Sequence, residues 1–182
     1  STNDIDEIAS YINAKDVNGN SAIILGCLNC NTYFVKKLIE LFNDLINYNQ
    51  PNFEGITPFF AALNSRSSAI LDHLLLIDEI TSSIDLSVPV DSENNYFVHL
   101  IARNGSCENF KLLIDKALSH SSNLLIDLAN LKNSKDESPL TIAIKQKKID
   151  MLKYILNNLD PNLNIKGEGD TPLLFEAAIS YD

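Results

Sequence analysis

Cys27 and Cys30 are the residues whose types and spacing come closest to metal or redox chemistry. Two cysteines separated by two residues can contribute to a zinc site or act as a redox pair, but a zinc site needs two further ligands. The remaining candidates lie far apart and without a second paired spacing: Cys107, His73, His99 and His120. We therefore interpret the thiols as structural, since free cysteine is often buried, and predict no bound metal.

Nucleophilic and phosphate-binding chemistry have weaker candidates. Asp72 and His73 are adjacent, but no serine or cysteine in a strained turn accompanies them, as a catalytic triad requires. Residues 167–169 read Gly-Glu-Gly, which superficially resembles a phosphate loop but lacks the following Gly-Lys-Ser/Thr and is flanked by acids. We predict no catalytic residue and no cofactor, and we expect that the chain is not an enzyme.

The composition is that of a globular protein, with 45% hydrophobic and 21% charged residues. The net charge of −10 disfavours nucleic acid and anionic membrane surfaces as partners, because an acidic surface repels phosphate groups. The longest apolar run, residues 74–77, is too short to span a membrane, so no membrane insertion is predicted. Three cysteines fit a reducing compartment, and we expect the cytoplasm or nucleus, or the host cytosol if the chain is a bacterial effector.

A short phrase recurs along the chain and organises it. Residues 171–177 read Thr-Pro-Leu-Leu-Phe-Glu-Ala, residues 138–143 read Ser-Pro-Leu-Thr-Ile-Ala, and residues 57–62 read Thr-Pro-Phe-Phe-Ala-Ala. The first two lie 33 residues apart (171 − 138), and such a fixed period is typical of a repeat protein. The phrase resembles the signature of the ankyrin repeat, Thr-Pro-Leu-His-x-Ala, whose period is about 33 residues.

The resemblance implies an all-α fold, a solenoid of stacked helix-turn-helix units with hairpin-like loops. It covers residues 1–182 as a single ankyrin-repeat domain. The predicted boundaries are a partial repeat at 1–15, repeats at 16–51, 52–90, 91–132 and 133–165, and a partial repeat at 166–182.

Apolar spacing predicts where the helices lie. Isoleucines at helical spacing predict a first helix over residues 4–13, and similar patterns predict second helices over 32–47 and 68–78. Thr57 suits the N-cap of the helix that begins at Pro58. Alternating apolar residues predict an extended connection over 79–95.

Three residues fall at positions with a structural role in the family. His99 takes the place of the signature histidine, which implies hydrogen bonds that tie the loop to the start of the helix. Cys27 replaces a packed alanine, and Cys30 replaces the glycine between the two helices. These positions favour structural roles over catalytic ones.

The resemblance also implies a binding surface on the concave side, formed by the loop tips and the exposed edge of each first helix. The predicted partner-binding residues are Leu28, Phe53, Glu54, Ile56, Asn64, Glu93, Arg103, Asn104, Lys135 and Lys145. Phe53, Ile56 and Leu28 would serve as apolar anchors, and Arg103 is a candidate hot spot. The lysines of residues 145–153 form a basic patch, interpreted as a solvated helix face or, alternatively, as a dock for an acidic partner segment.

The implied function is non-catalytic protein–protein interaction, as a scaffold, adaptor or targeting module that is monomeric by itself. The partner is a protein of unknown identity. The alternative is the regulatory ankyrin region of a larger enzyme or secreted effector whose catalytic part lies outside this chain. A stand-alone hydrolase or metalloprotein is supported by no constellation of residues in the sequence.

Overall fold

The computed structural model describes residues 2–83, 85–104, 106–120, 128–164 and 172. The chain divides into two compact units, Ser1–Ile84 (unit 1) and Asp85–Asp182 (unit 2). Within the described residues the regular structure is helical, apart from a single bridge residue at Pro172. The predicted all-α class is therefore confirmed.

Unit 1 is built from short helices. They are α1 (Thr2–Ile12), α2 (Ala22–Leu28), α3 (Thr32–Phe42), α4 (Pro58–Asn64), α5 (Ser68–Leu74) and α6 (Asp78–Ser83), with a 3₁₀ turn at Asn43–Leu45. The helices α2 and α3 form one pair and α4 and α5 form the next, and α2 packs on α4 while α3 packs on α5. The predicted stacking of helix pairs is present in this unit.

Unit 2 has the same arrangement. Its longer helices are α7 (Phe97–Asn104), α8 (Cys107–His120), α9 (Pro139–Lys145) and α10 (Ile149–Asn158), and residues 128–130 are also helical. The pair α7 and α8 stacks on the pair α9 and α10, with α7 against α9 and α8 against α10. The predicted partial repeat at 166–182, with its Gly-Glu-Gly segment, lies outside the described residues except for Pro172.

Several helices are preceded by an N-cap residue whose side chain accepts a hydrogen bond from a backbone amide of the first turn. The Thr57 hydroxyl accepts a hydrogen bond from the Phe60 amide at 3.2 Å, and the Ser138 hydroxyl accepts one from the Thr141 amide at 3.3 Å. A proline follows each of these N-caps, at a position where its missing N–H group costs nothing. The predicted N-cap at Thr57 is therefore confirmed.

The core of each unit is formed by apolar residues at helical spacing. In unit 1 they include Ile23, Ile24, Val35, Leu63, Ile70, Leu71 and Leu74. In unit 2 they include Val98, Ile101, Phe110, Leu113, Ile114, Leu140, Ile142, Met151 and Ile155. Each such side chain contributes about 1.5–3 kcal/mol when it is fully buried. A single helix pair cannot bury all of these side chains, so the stability of each unit depends on the stacking of neighbouring pairs.

The connection after α5 differs from the prediction. Residues 78–83 form α6 rather than an extended segment, and the backbone amide of Thr81 donates to the carbonyl of Ile77 at 3.0 Å. Ile80 is buried, so its packing in the core outweighs the strand preference of the local sequence. The helices α3 and α5 also end earlier than predicted, at Phe42 and Leu74.

Candidate interaction surface

Four loops in the described residues share one hydrogen-bonding pattern. In each, a side-chain Oδ1 accepts hydrogen bonds of 2.8–3.0 Å from the backbone amides two and four residues later. The residues that begin these loops are Asp16, Asn52, Asp91 and Asn133. The residues three positions later have φ between +54° and +81°, and they are Gly19, Gly55, Asn94 and Asp136. Only residues that tolerate a left-handed backbone fit this position at low cost.

Neighbouring loops are joined inside each unit. In unit 1 the Asn52 side-chain amide donates to Asn20 Oδ1 at 2.8 Å. In unit 2 the Asn133 side-chain amide donates to Asn95 Oδ1 at 2.9 Å. These four asparagines are buried, so the bond links successive loops away from solvent. The role of the Asp or Asn was not predicted, although its position three residues before a glycine is visible in the sequence at 16–19 and 52–55.

The candidate positions on the first helices recur in the same way. Each candidate lies seven residues after the residue that precedes its helix: Leu28 after Ser21, Asn64 after Thr57, Arg103 after Tyr96 and Lys145 after Ser138. Seven residues are about two helical turns, so these side chains take equivalent places on their helices. The register inferred from the resemblance therefore corresponds to a recurring position in the structure.

The unit 1 surface, defined as Leu28, Phe53, Glu54, Ile56 and Asn64, is mostly apolar. One face of the Phe53 ring packs against Gly19, so closely that a Cβ atom added to Gly19 would lie 2.7 Å from Phe53 Cδ1. Lys15 Nζ lies 5.9 Å from the ring centroid, within the range of a cation–π contact. The residue is nevertheless 75% exposed, so a large aromatic surface is positioned by its neighbours and left accessible.

The other members of the unit 1 surface differ in accessibility. Leu28 is 45% exposed and Glu54 is exposed, whereas Ile56 and Asn64 are half-buried. The Asn64 Oδ1 atom is buried and has no hydrogen-bond partner among the described residues. Of the three predicted apolar anchors, Phe53 and Leu28 are thus the accessible ones.

The unit 2 surface, defined as Glu93, Arg103, Asn104, Lys135, Glu137 and Lys145, is charged. Lys135 Nζ lies 2.8 Å from Glu93 and Lys145 Nζ lies 2.9 Å from Glu137. The Arg103 guanidinium lies 3.9 Å from Glu93 and 3.8 Å from Glu137. Four predicted partner-binding residues, Glu93, Arg103, Lys135 and Lys145, therefore share one ion-pair network with Glu137. Asn104 is exposed at the end of α7.

Both carboxylates of this network are stabilised in the ionised form. The hydrogen bond and positive charge of Lys135 lower the pKa of Glu93. Burial raises the pKa of Glu137, but hydrogen bonds from Asn133 and Lys145, with the charges of Lys145 and Arg103, lower it overall. The ion pairs therefore persist at neutral pH.

His99 connects α7 to the loop that carries Glu137. Its ring is fully buried, and Nδ1 accepts a hydrogen bond from the Tyr96 amide at 3.1 Å. Its Nε2 atom lies 3.0 Å from the carbonyl oxygens of Leu131 and Glu137. The predicted tie between loop and helix is confirmed. Burial lowers the pKa of His99, an effect only partly offset by the two carbonyl groups.

The cysteines are free thiols in different environments. Cys27 is fully buried, and burial raises the pKa of its thiol to about 12, so it stays protonated. Cys30 is exposed with φ of +54°, which fits the predicted position of the inter-helix glycine. Across the described ranges, no group of three or more His, Cys, Asp or Glu residues is placed to hold a metal ion. The same residues contain no helix that is long and apolar enough to cross a membrane.

Part of the chain matches a known protein family. Residues 98–181 match a family model described as ankyrin repeats, three copies. This range contains most of α7 and all of α8, α9 and α10. None of the curated proteins matches the chain. Residues 98–181 are therefore ankyrin repeats, and unit 1 has the same loop bonds and helix pairing as unit 2.

Proposed function

We propose that the chain is a protein-binding module that acts as a scaffold, adaptor or targeting domain. Ankyrin repeats are generally modules for protein–protein interaction. The observation that carries the proposal is the recurrence of loop and first-helix positions with accessible side chains in both units. The partner is a folded protein or a peptide that contacts the unit 1 surface, the unit 2 surface or both.

Phe53 and Arg103 are the residues from which we expect the largest contributions to binding. Aromatic and arginine side chains dominate the binding energy of protein interfaces. Phe53 is held against Gly19 and below Lys15 before any partner arrives, so little conformational entropy remains to be lost on binding. Arg103 lies between two carboxylates that restrict its position in a similar way.

Affinity capture with the intact chain tests the proposal. We expect that proteins retained by the wild type are lost by the double variant Phe53→Ala/Arg103→Ala. Each substitution removes a candidate hot spot, which is typically associated with a loss of about ten-fold or more in affinity. The purified partner then gives the dissociation constant by calorimetry.

The matched control is the double variant Tyr33→Ala/Arg66→Ala. Tyr33 is 75% exposed, as Phe53 is, and Arg66 is exposed in the turn after α4. We expect this variant to retain the partner with wild-type affinity. A partner that the two double variants bind equally well would contradict the proposed surfaces.

A further inference from the structure

We propose that the unit 2 surface binds an acidic side chain from a peptide segment of the partner, and that Arg103 contacts its carboxylate. This inference rests on the proposed function and names the chemistry that the ligand presents at that surface. The carboxylates of this surface already accept hydrogen bonds, whereas Arg103 makes none among the described residues.

Arg103 has unused donor capacity. Its distances of 3.9 and 3.8 Å to Glu93 and Glu137 are ion-pair distances, beyond the 3.5 Å limit of a hydrogen bond. Within the part of the chain that the structure describes, the guanidinium makes no hydrogen bond, and the side chain is 30% exposed. A guanidinium presents five N–H donors in a planar fork that matches a carboxylate.

Each carboxylate around Arg103 already accepts hydrogen bonds from other residues. Glu93 accepts from Lys135 at 2.8 Å, and Glu137 accepts from Lys145 at 2.9 Å and from Asn133 at 3.0 Å. The nearby Asp91 accepts from the backbone amides of its own loop and from the Asn95 side chain at 2.8 Å. The N–H donors of the Arg103 guanidinium, in contrast, make no hydrogen bond among the described residues, and they call for an acceptor from the partner.

The charged side chains of this surface differ in exposure. Lys135 is 56% exposed and Glu93 is 44% exposed, whereas Arg103 is 30% exposed and Glu137 is 13% exposed. A charged acceptor forms a hydrogen bond about twice as strong as a neutral one, so a carboxylate is favoured over a carbonyl group. The net charge of −10 acts at long range and is screened beyond about 8 Å at physiological salt, so it does not decide contacts at Arg103.

The experiment uses short random peptides selected for binding to the intact chain. Selected peptides are synthesised with acetylated N-termini and amidated C-termini, so that carboxylates come from side chains alone. Their affinities are measured for the wild type, Arg103→Gln and Arg103→Lys, with Arg66→Gln as the matched control. Thermal unfolding of each variant shows that it is folded.

We expect Arg103-dependent peptides to share an Asp or Glu at one position. Replacing that residue by Asn or Gln should lower the affinity for the wild type by about ten-fold or more. The same replacement should have little further effect on Arg103→Gln, because the interaction is already absent. Arg103→Lys should bind with intermediate affinity, and Arg66→Gln should bind as the wild type does.

Three results would overturn the inference. One is a selection without any Arg103-dependent peptide, which leaves the proposed function standing because partner capture tests that function separately. The second is a basic or neutral residue at the shared position. The third is a peptide that requires a free C-terminal carboxylate rather than an acidic side chain.

Discussion

At the scale of single residues, the protonation state of His99 affects the stability of the fold. Its Nδ1 atom accepts a hydrogen bond from the Tyr96 amide, so the neutral ring carries its proton on Nε2, which faces two carbonyl oxygens. A second proton on Nδ1 would face the Tyr96 N–H group and break the bond. The site therefore selects one neutral tautomer of the ring.

This selection predicts a pH dependence of folding. The folded-state pKa of His99 lies below the ordinary value of 6.5, so the unfolded state binds its proton first as the pH falls. The stability that His99 contributes is complete above pH 6.5 and is lost as the pH falls towards the folded-state pKa. Urea unfolding between pH 7.5 and 5.5 measures this loss, whose slope is at most about 1.4 kcal/mol per pH unit.

The variant His99→Gln isolates the contribution. We expect it to be less stable than the wild type at pH 7.5 by about 1–3 kcal/mol, because buried backbone groups lose a partner. Its stability should also change less between pH 7.5 and 5.5. Parallel pH profiles for the two proteins would show that His99 does not titrate in the expected way.

At the scale of elements, each of the four loops is stabilised by one side-chain Oδ1 atom that accepts hydrogen bonds from its backbone. Asn52 Oδ1 binds the amides of Glu54 and Ile56, and its side-chain amide reaches Asn20 in the neighbouring loop. Asp16 and Asp91 supply the same acceptor in other loops, but a carboxylate cannot donate the inter-loop bond. Asn52 therefore has two separable roles.

The substitutions Asn52→Ala and Asn52→Asp separate those roles. We expect Asn52→Asp to lower the free energy of unfolding by about 1 kcal/mol, since it loses only the bond to Asn20. Asn52→Ala should cost about 2–4 kcal/mol, since it also leaves two amides of the loop unpaired.

Urea unfolding measures both variants, with Asn29→Ala as the control. Asn29 is exposed and its amide bonds only the carbonyl of Leu25, so we expect a change within about 0.5 kcal/mol. Equal losses for Asn52→Ala and Asn52→Asp would show that the acceptor atom does not hold the loop.

The sequence predicted the elements better than the contacts between them. Helix pairs and the cap at Thr57 follow from local spacing and from the recurring phrase, so they were predictable. The helix α6 was not, because the burial of Ile80 depends on the neighbouring helices. The ion pairs of Arg103 were also hidden, because a helix residue meets a residue 34 positions later (137 − 103) only after the pairs have stacked.

At the scale of the whole molecule, the two units present different chemistry at equivalent positions. The helix position is occupied by Leu28 and Asn64 in unit 1, and by Arg103 and Lys145 in unit 2. Of the 14 Lys and Arg residues, four precede residue 85 and the other ten follow it (14 − 4). The unit 1 surface is thus mostly apolar, whereas the unit 2 surface is a network of paired charges.

The most direct test of the central claim is amide hydrogen exchange of the intact chain, free and bound to its captured partner. We predict that binding slows exchange in the loops at 52–56, 91–95 and 133–137, where the candidate side chains lie. The second helices α3, α5 and α10 should exchange as in the free chain and provide the internal reference. Protection confined to those second helices, with the three loops unchanged, would contradict the claim that the loops and first helices form the binding surface.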